Sequence, residues 1–167
     1  MNFIQPPEIN HEFDGVPTIF LAGPIQGGPE WQYEVQKIAN LENDSILIAS
    51  PRKNYKEGEF VYEKQVDWET YYLRQAATNG VIIFWLANQI VDTPGRSYAQ
   101  TSRFEIGEWL VKHKEFKRAN LVIGIEEGFT NERYIRRRFT QDAPDVPILS
   151  DLKSTILEAI RLIKKAN

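Results

Sequence analysis

Apolar residues in this chain come in two textures. Short unbroken runs at residues 18–22, 46–49, 81–86 and 121–125 alternate with longer stretches in which apolar positions recur every three or four residues. A short run rich in β-branched and aromatic residues is the mark of a strand buried on both faces. Val81-Ile82-Ile83-Phe84-Trp85-Leu86 is the clearest such run and predicts a central parallel strand. Residues 146–149 predict a further strand at a sheet edge, because Pro147 lacks the N–H that a central strand must donate.

The helical stretches fall between the runs. One is predicted from Pro29, suited to a first turn, to about Leu41, with Trp31, Val35, Ile38 and Leu41 facing a core. A second spans residues 66–78 and is closed by Asn79-Gly80 as a C-cap would close it. A third runs from Arg103 to about His113, capped by Ser102 or Thr101. A short one covers residues 131–139. A last amphipathic one, capped by Ser150 or Asp151, carries Leu152, Ile156, Ile160 and Ile163 on one stripe and ends near Lys165. Residues 1–16 are expected to be an extended lead-in without periodicity, and residues 52–65 and 87–101 to be long loops. Strands alternating with helices imply an α/β fold, doubly wound, with a mostly parallel five-stranded sheet and helices on both faces. Residues 17–167 would form it as one domain. Ligands of such sheets bind at the carboxyl ends of the strands.

Composition narrows the chemistry. The 167 residues include no cysteine, which excludes disulfides, thiolate metal sites and a cysteine nucleophile. Two distant histidines, His11 and His113, do not make a zinc site, so no metal is expected. A formal net charge of −3 argues against a nucleic-acid partner, whose phosphates call for lysine and arginine, and for a small molecule instead. The polar start and the lack of a membrane-length apolar stretch predict a cytoplasmic protein with no membrane association.

Candidate chemistry gathers at the strand ends. Gly23-Pro24-Ile25-Gln26-Gly27-Gly28 opens onto a helix, so glycines would let a ligand approach the main chain; an ordinary turn explains the same residues. The segment is neither a dinucleotide fingerprint nor a phosphate-binding P-loop. Glu105 is expected in the first turn of its helix, where the helix N-terminus favours the ionised carboxylate that a nucleophile needs. Gly107, two residues on, would cost about 1 kcal/mol against alanine in a helix interior, which suggests that something packs close to it. Asp67 and Glu69 are acids in an expected first turn, where compensation of the helix dipole is the preferred reading from the residues alone. Arg136-Arg137-Arg138 reads as a solvated helix face. Tyr71, Tyr72 and Trp85 read as packing residues, one of which could stack on a nucleobase.

In order and spacing, several short segments resemble the nucleoside 2-deoxyribosyltransferase-like family. They are Ile19-Phe20-Leu21-Ala22-Gly23-Pro24-Ile25 with Trp31, Ser50-Pro51-Arg52, Gln65-Val66-Asp67-Trp68-Glu69, the run 81–85, Phe104-Glu105-Ile106-Gly107, and Glu127-Gly128-Phe129. The resemblance implies a flavodoxin-like sheet, a nucleophilic carboxylate at Glu105, and a second acid at Glu69 with Asp67 as the alternative. It implies a nucleoside or nucleotide as the small-molecule partner, no cofactor, and a homo-oligomer.

The reaction expected on these grounds is attack of Glu105 on the anomeric carbon of a (deoxy)nucleoside, release of the base, and capture of the sugar by a second base. Glu69 or Asp67 would manage the proton on the leaving base or hold a sugar hydroxyl. Gly23, Pro24, Ile25, Gly27, Gly28, Arg52, Trp85 and Gly107 are the expected substrate contacts. Two alternatives stand beside it: an N-glycoside hydrolase with water as acceptor, in which Arg52, Arg96 or Arg103 would meet a 5′ phosphate, and a non-catalytic nucleotide- or metabolite-binding module.

Overall fold

The apolar runs lie side by side. In the computed structural model, which describes residues 1–39, 45–116 and 119–166, six strands form one sheet: β1 (Asn2–Ile4), β2 (Thr18–Ala22), β3 (Leu47–Ala49), β4 (Gly80–Leu86), β5 (Leu121–Ile125) and β6 (Ile148–Leu149). Their order is β1-β3-β2-β4-β5-β6, and every pairing is parallel. The helices are α1 (Trp31–Ala39), α2 (Tyr62–Thr78), α3 (Gln100–Phe116), α4 (Glu132–Asp142) and α5 (Leu152–Ala166). The architecture is doubly wound, as the alternating pattern predicts, and flavodoxin-like, as the resemblance implies.

Successive strand residues point to opposite faces, and both faces are covered. Phe20, Ile82, Phe84, Leu86 and Ile123 pack against α2, α3 and α4, with Trp68, Tyr72, Ile106, Trp109 and Phe139. Ile19, Leu21, Val81, Ile83 and Trp85 pack against α1 and α5, with Trp31, Val35, Ile156 and Ile160. This double burial explains why the strands read as unbroken apolar runs. The stripe on α5 faces the core as expected, and Asp151 caps it through Oδ1, which accepts from Ser154 N at 2.8 Å. Leu41, expected to extend the stripe of α1, lies outside the described residues.

Several expectations are corrected. The lead-in is not free of structure: β1 adds a sixth strand at the edge, Asn2 N donating to Ile46 O and Ser50 N to Ile4 O. Residues 62–65 belong to α2, not to a loop. Helix α3 starts at Gln100 rather than Arg103, and α1 starts two residues after Pro29. Helix α2 is closed at Asn79, whose N donates to Gln75 O, as expected, but Gly80 is the first residue of β4; a Cβ there would stand 1.9 Å from Thr18 O, so it is the tight pairing with β2 that requires glycine.

The order matters for the site. Strand β2 is flanked by β3, which follows it, and by β4, so the chain winds outward in opposite directions from the β2–β4 pair. At such a reversal the connections after the two strands diverge and leave a crevice at their carboxyl ends. Here those connections are residues 23–30 and 87–99.

Candidate active site

The crevice is a cavity of about 490 Å³. Its lining includes the segment Gly23-Pro24-Ile25-Gln26 and residues 96–102, joined where Arg96 donates to Gln26 Oε1, together with Glu105 from α3 and Glu69 from α2. Tyr55, Phe60, Tyr62 and Val66 form a largely aromatic flank.

Glycine shapes the first wall at two points. A Cβ on Gly23 would lie 2.3 Å from Trp85 O and 2.9 Å from the Trp31 ring, so the chain can turn out of β2 here only without a side chain. Trp31 Nε1 then donates to Pro24 O at 3.0 Å and fixes the bend. At Gly27 φ is +76°, and its carbonyl accepts from both Ile90 N and Val91 N. Gly27 thus ties the loop after β2 to the loop after β4. Tyr98 closes that junction: its hydroxyl donates to Ala87 O at 2.7 Å and lies near Asn88 O at 3.1 Å, and its ring lines the cavity. Burial, with Glu126 nearby, pushes the Tyr98 hydroxyl up to about 12, so it stays a neutral donor. The Glu126 carboxylate accepts from Asn88 N at 2.6 Å and pins the root of the same loop.

The two acids differ in surroundings. Burial, then the Glu69 charge and then that of Glu108, push the Glu105 carboxyl up to about 7. This corrects the expectation that the helix N-terminus favours its ionised form. Because α3 begins at Gln100, Glu105 sits in the second turn, past the free N–H groups, and loss of water outweighs what remains of the helix field. Glu69 is also raised by burial, but a hydrogen bond from Gln65 Nε2 at 2.7 Å opposes the rise. Gln65 is held in turn by Pro51 O at 2.9 Å and by the Tyr55 hydroxyl at 2.6 Å.

Of the expected site residues, Glu105, Glu69, Gly23, Pro24 and Ile25 come together in this cavity, with Arg96 of the phosphate candidates. The others do not line it. Asp67 is exposed and lies in a separate surface cleft with Asp14, Tyr71 and Arg74. Arg52 is 7% exposed; its guanidinium braces the first wall from behind, donating to Gln32 Oε1 at 3.3 Å and Ile25 O at 3.4 Å. Trp85 faces the opposite side of the sheet, where its ring packs against Gly124, while its backbone carbonyl lies against Gly23. Gly27 and Gly28 touch Val91 and Tyr98, so they make room for the neighbouring loop rather than for a ligand. Gly107 is exposed, with open space where its Cβ would be, so among the described residues nothing beyond its own helix packs close to it. Arg103 is turned toward Phe129 and donates to Thr130 O at 3.0 Å. Lys53 and Arg96 are the cations of the lining.

Tyr55, Gln65 and Tyr98 are among the lining residues that sequence reasoning left without a role. Gln65 stands one helical turn before Glu69, a relation visible only once α2 is known to begin at Tyr62. Among the described residues, no three His, Asp or Glu side chains group as metal ligands, and no helix is long and apolar enough to cross a membrane.

The arrangement is that of a two-carboxylate cavity at the switch point of a doubly wound sheet. It can present one anion and one proton-bearing acid to a neutral polar ligand. No protein-family model matches the chain, and no curated protein matches it either.

Proposed function

We propose that the protein cleaves the N-glycosidic bond of a (deoxy)nucleoside and transfers the sugar to a second base, with Glu105 as nucleophile. The observation that carries this is the meeting of Glu105 and Glu69 in the lining of one cavity at the carboxyl edge of the sheet. Paired carboxylates serve glycosidic bonds because the transition state is an oxocarbenium ion. One carboxylate bonds to the anomeric carbon and the other steadies the positive charge. The choice of a nucleoside rests on the resemblance to the nucleoside 2-deoxyribosyltransferase-like family, which also implies a homo-oligomer.

In the first step a Glu105 oxygen forms a bond to the anomeric carbon. The carbon–nitrogen bond breaks, its electron pair leaves with the base, and the base nitrogen takes up the proton that Glu105 released before attacking. In the second step a ring nitrogen of another base attacks the same carbon from the opposite face. It loses its proton, and Glu105 departs as a carboxylate. Two inversions return the original configuration. Glu69 stands as the anion beside the sugar, and the aromatic flank of Tyr55, Phe60 and Tyr62 is suited to stacking on a base.

Lys53 and Arg96 in the lining favour a second version in which the ligand is a 5′-nucleotide and water is the acceptor. One experiment separates them. The protein is incubated with a deoxynucleoside or its 5′-phosphate, with and without a free second base, and products are resolved by chromatography. A new nucleoside formed only with the added base supports transfer. Free sugar or sugar phosphate in both cases supports hydrolysis. No product from either substrate would overturn both.

A further inference from the structure

Gln65 takes no part in the proposed reaction, yet it is buried and makes three polar contacts around one amide. Its nitrogen donates to Pro51 O at 2.9 Å and to Glu69 Oε1 at 2.7 Å, and its oxygen accepts from the Tyr55 hydroxyl at 2.6 Å. A proline carbonyl can only accept. Turning the amide over would set two oxygens against each other at Pro51, so the orientation is determined by the network itself. One oxygen of Glu69 therefore always meets an N–H. Glu105 has no such donor among the described residues; the groups acting on it are Glu69 and Glu108.

Two acids thus share a cavity, and only one is hydrogen-bonded as an anion. A bond donated to a carboxylate favours its charged form. We propose that Tyr55 and Gln65 are positioning residues that act through Glu69, holding it as the charged member of the pair and leaving the shared proton to Glu105. This rests on the assignment of Glu69 and Glu105 as the reacting pair. The labour is then divided before substrate arrives: Glu69 is the standing anion that faces the developing positive charge, and Glu105 must release a proton before it attacks. The other titratable groups around the pair are Lys53 beside Tyr55, Tyr62 on α2, Arg96 and Tyr98 on the loop after β4, and Glu108 on α3. Neither cation figures among the charges that act on Glu69 or Glu105.

The test uses the full chain with ¹³C-labelled glutamate, following the side-chain carboxyl carbons by NMR as pH is varied. Glu69→Gln and Glu105→Gln supply the assignments. In the unaltered protein the Glu69 carbon should titrate at lower pH than the Glu105 carbon. In Tyr55→Phe and in Gln65→Met the Glu69 titration should rise by about one pH unit toward that of Glu105, with each carbon showing both steps. In the transfer assay kcat should fall by about tenfold, the equivalent of one such unit, with KM little changed. Glu69 titrating unmoved in both variants, or Glu105 titrating below Glu69 in the unaltered protein, would overturn the proposal. If Gln65→Met does not fold, Tyr55→Phe decides alone, since it deletes one oxygen and keeps the ring against Phe60. An inactive protein whose carboxyls titrate as described would overturn the reaction and leave the positioning intact.

Discussion

A carboxylate beside the free N–H groups of a helix start is favoured by about 0.3–1 kcal/mol, and the benefit fades within a turn. Glu105 lies beyond that reach, and burial next to Glu69 carries its carboxyl up to about 7. As a nucleophile it must be ionised, so kcat/KM should climb with pH and level off above about 7; at one unit below, roughly a tenth of the sites are ready. Initial rates across that range check this, and a fall above 7 would make Glu105 the proton donor instead. Glu105→Gln should lower kcat by about 10³-fold or more. The sign for stability runs the other way. The folded-state value lies above the ordinary 4.5, so the contribution is fully present below 4.5 and is lost as pH rises through about 7. Glu105→Gln should therefore be more stable than the parent at pH 8, by on the order of 1–2 kcal/mol, and equal to it in acid, as thermal melts would record. Two glycines give a sharper contrast. Gly23→Ala drives a methyl into Trp85 O and should cost about 1–3 kcal/mol. Gly107→Ala enters open space on a helix and should add about 1 kcal/mol. Failure of the second to stabilise would mean that this face answers to a contact outside the chain.

Among elements, the two walls of the cavity are held by different means. The wall after β2 is braced by Arg52, whose removal strands Gln32 in the core; Arg52→Met should destabilise by about 1–3 kcal/mol and raise KM rather than lower kcat alone. Paired urea titrations and kinetics would show this, and an unchanged KM would argue that the wall does not touch substrate. The central strands and α5 were legible because continuous apolar runs and a clean stripe leave few other ways to bury them. The starts of α2 and α3 were not. Val61 offers no capping side chain, and exposed Tyr62 and Val66 blur the period; before α3 the chain turns through Ala99 at φ +55°, with no capping residue there to mark it. The error at α3 moved Glu105 by a turn and reversed the direction of its shift. Strand β1 escaped because three half-exposed edge residues carry no period, and its partner lies some 45 positions away. Glu105 and Gly23–Ile25 could be named from strand ends, and Glu69 from the family resemblance. The true directions of Arg52 and Trp85 depend on which side of the sheet each faces, and that is set by tertiary packing.

At the scale of the molecule, tryptophans report on both layers: Trp31 and Trp85 on one side of the sheet, Trp68 and Trp109 on the other. A common sheet should make the layers melt together. Loss of fluorescence and of far-UV dichroism in urea should then coincide, with a slope of about 1–3 kcal/mol per molar; two separated transitions would divide the chain into independent units. The layer of α2 and α3 has one more property. Glu69 and Glu105 stand on different helices, and beneath them Trp68 and Ile106 rest on the same face of the sheet. The gap between the two carboxyls is therefore gauged by buried side chains that never meet a ligand. In glycosidic chemistry that gap separates direct displacement by an enclosed water from double displacement through an enzyme ester. A resizing of Trp68 could redirect the stereochemical course of the reaction from inside the core, with every residue of the cavity wall left as it was.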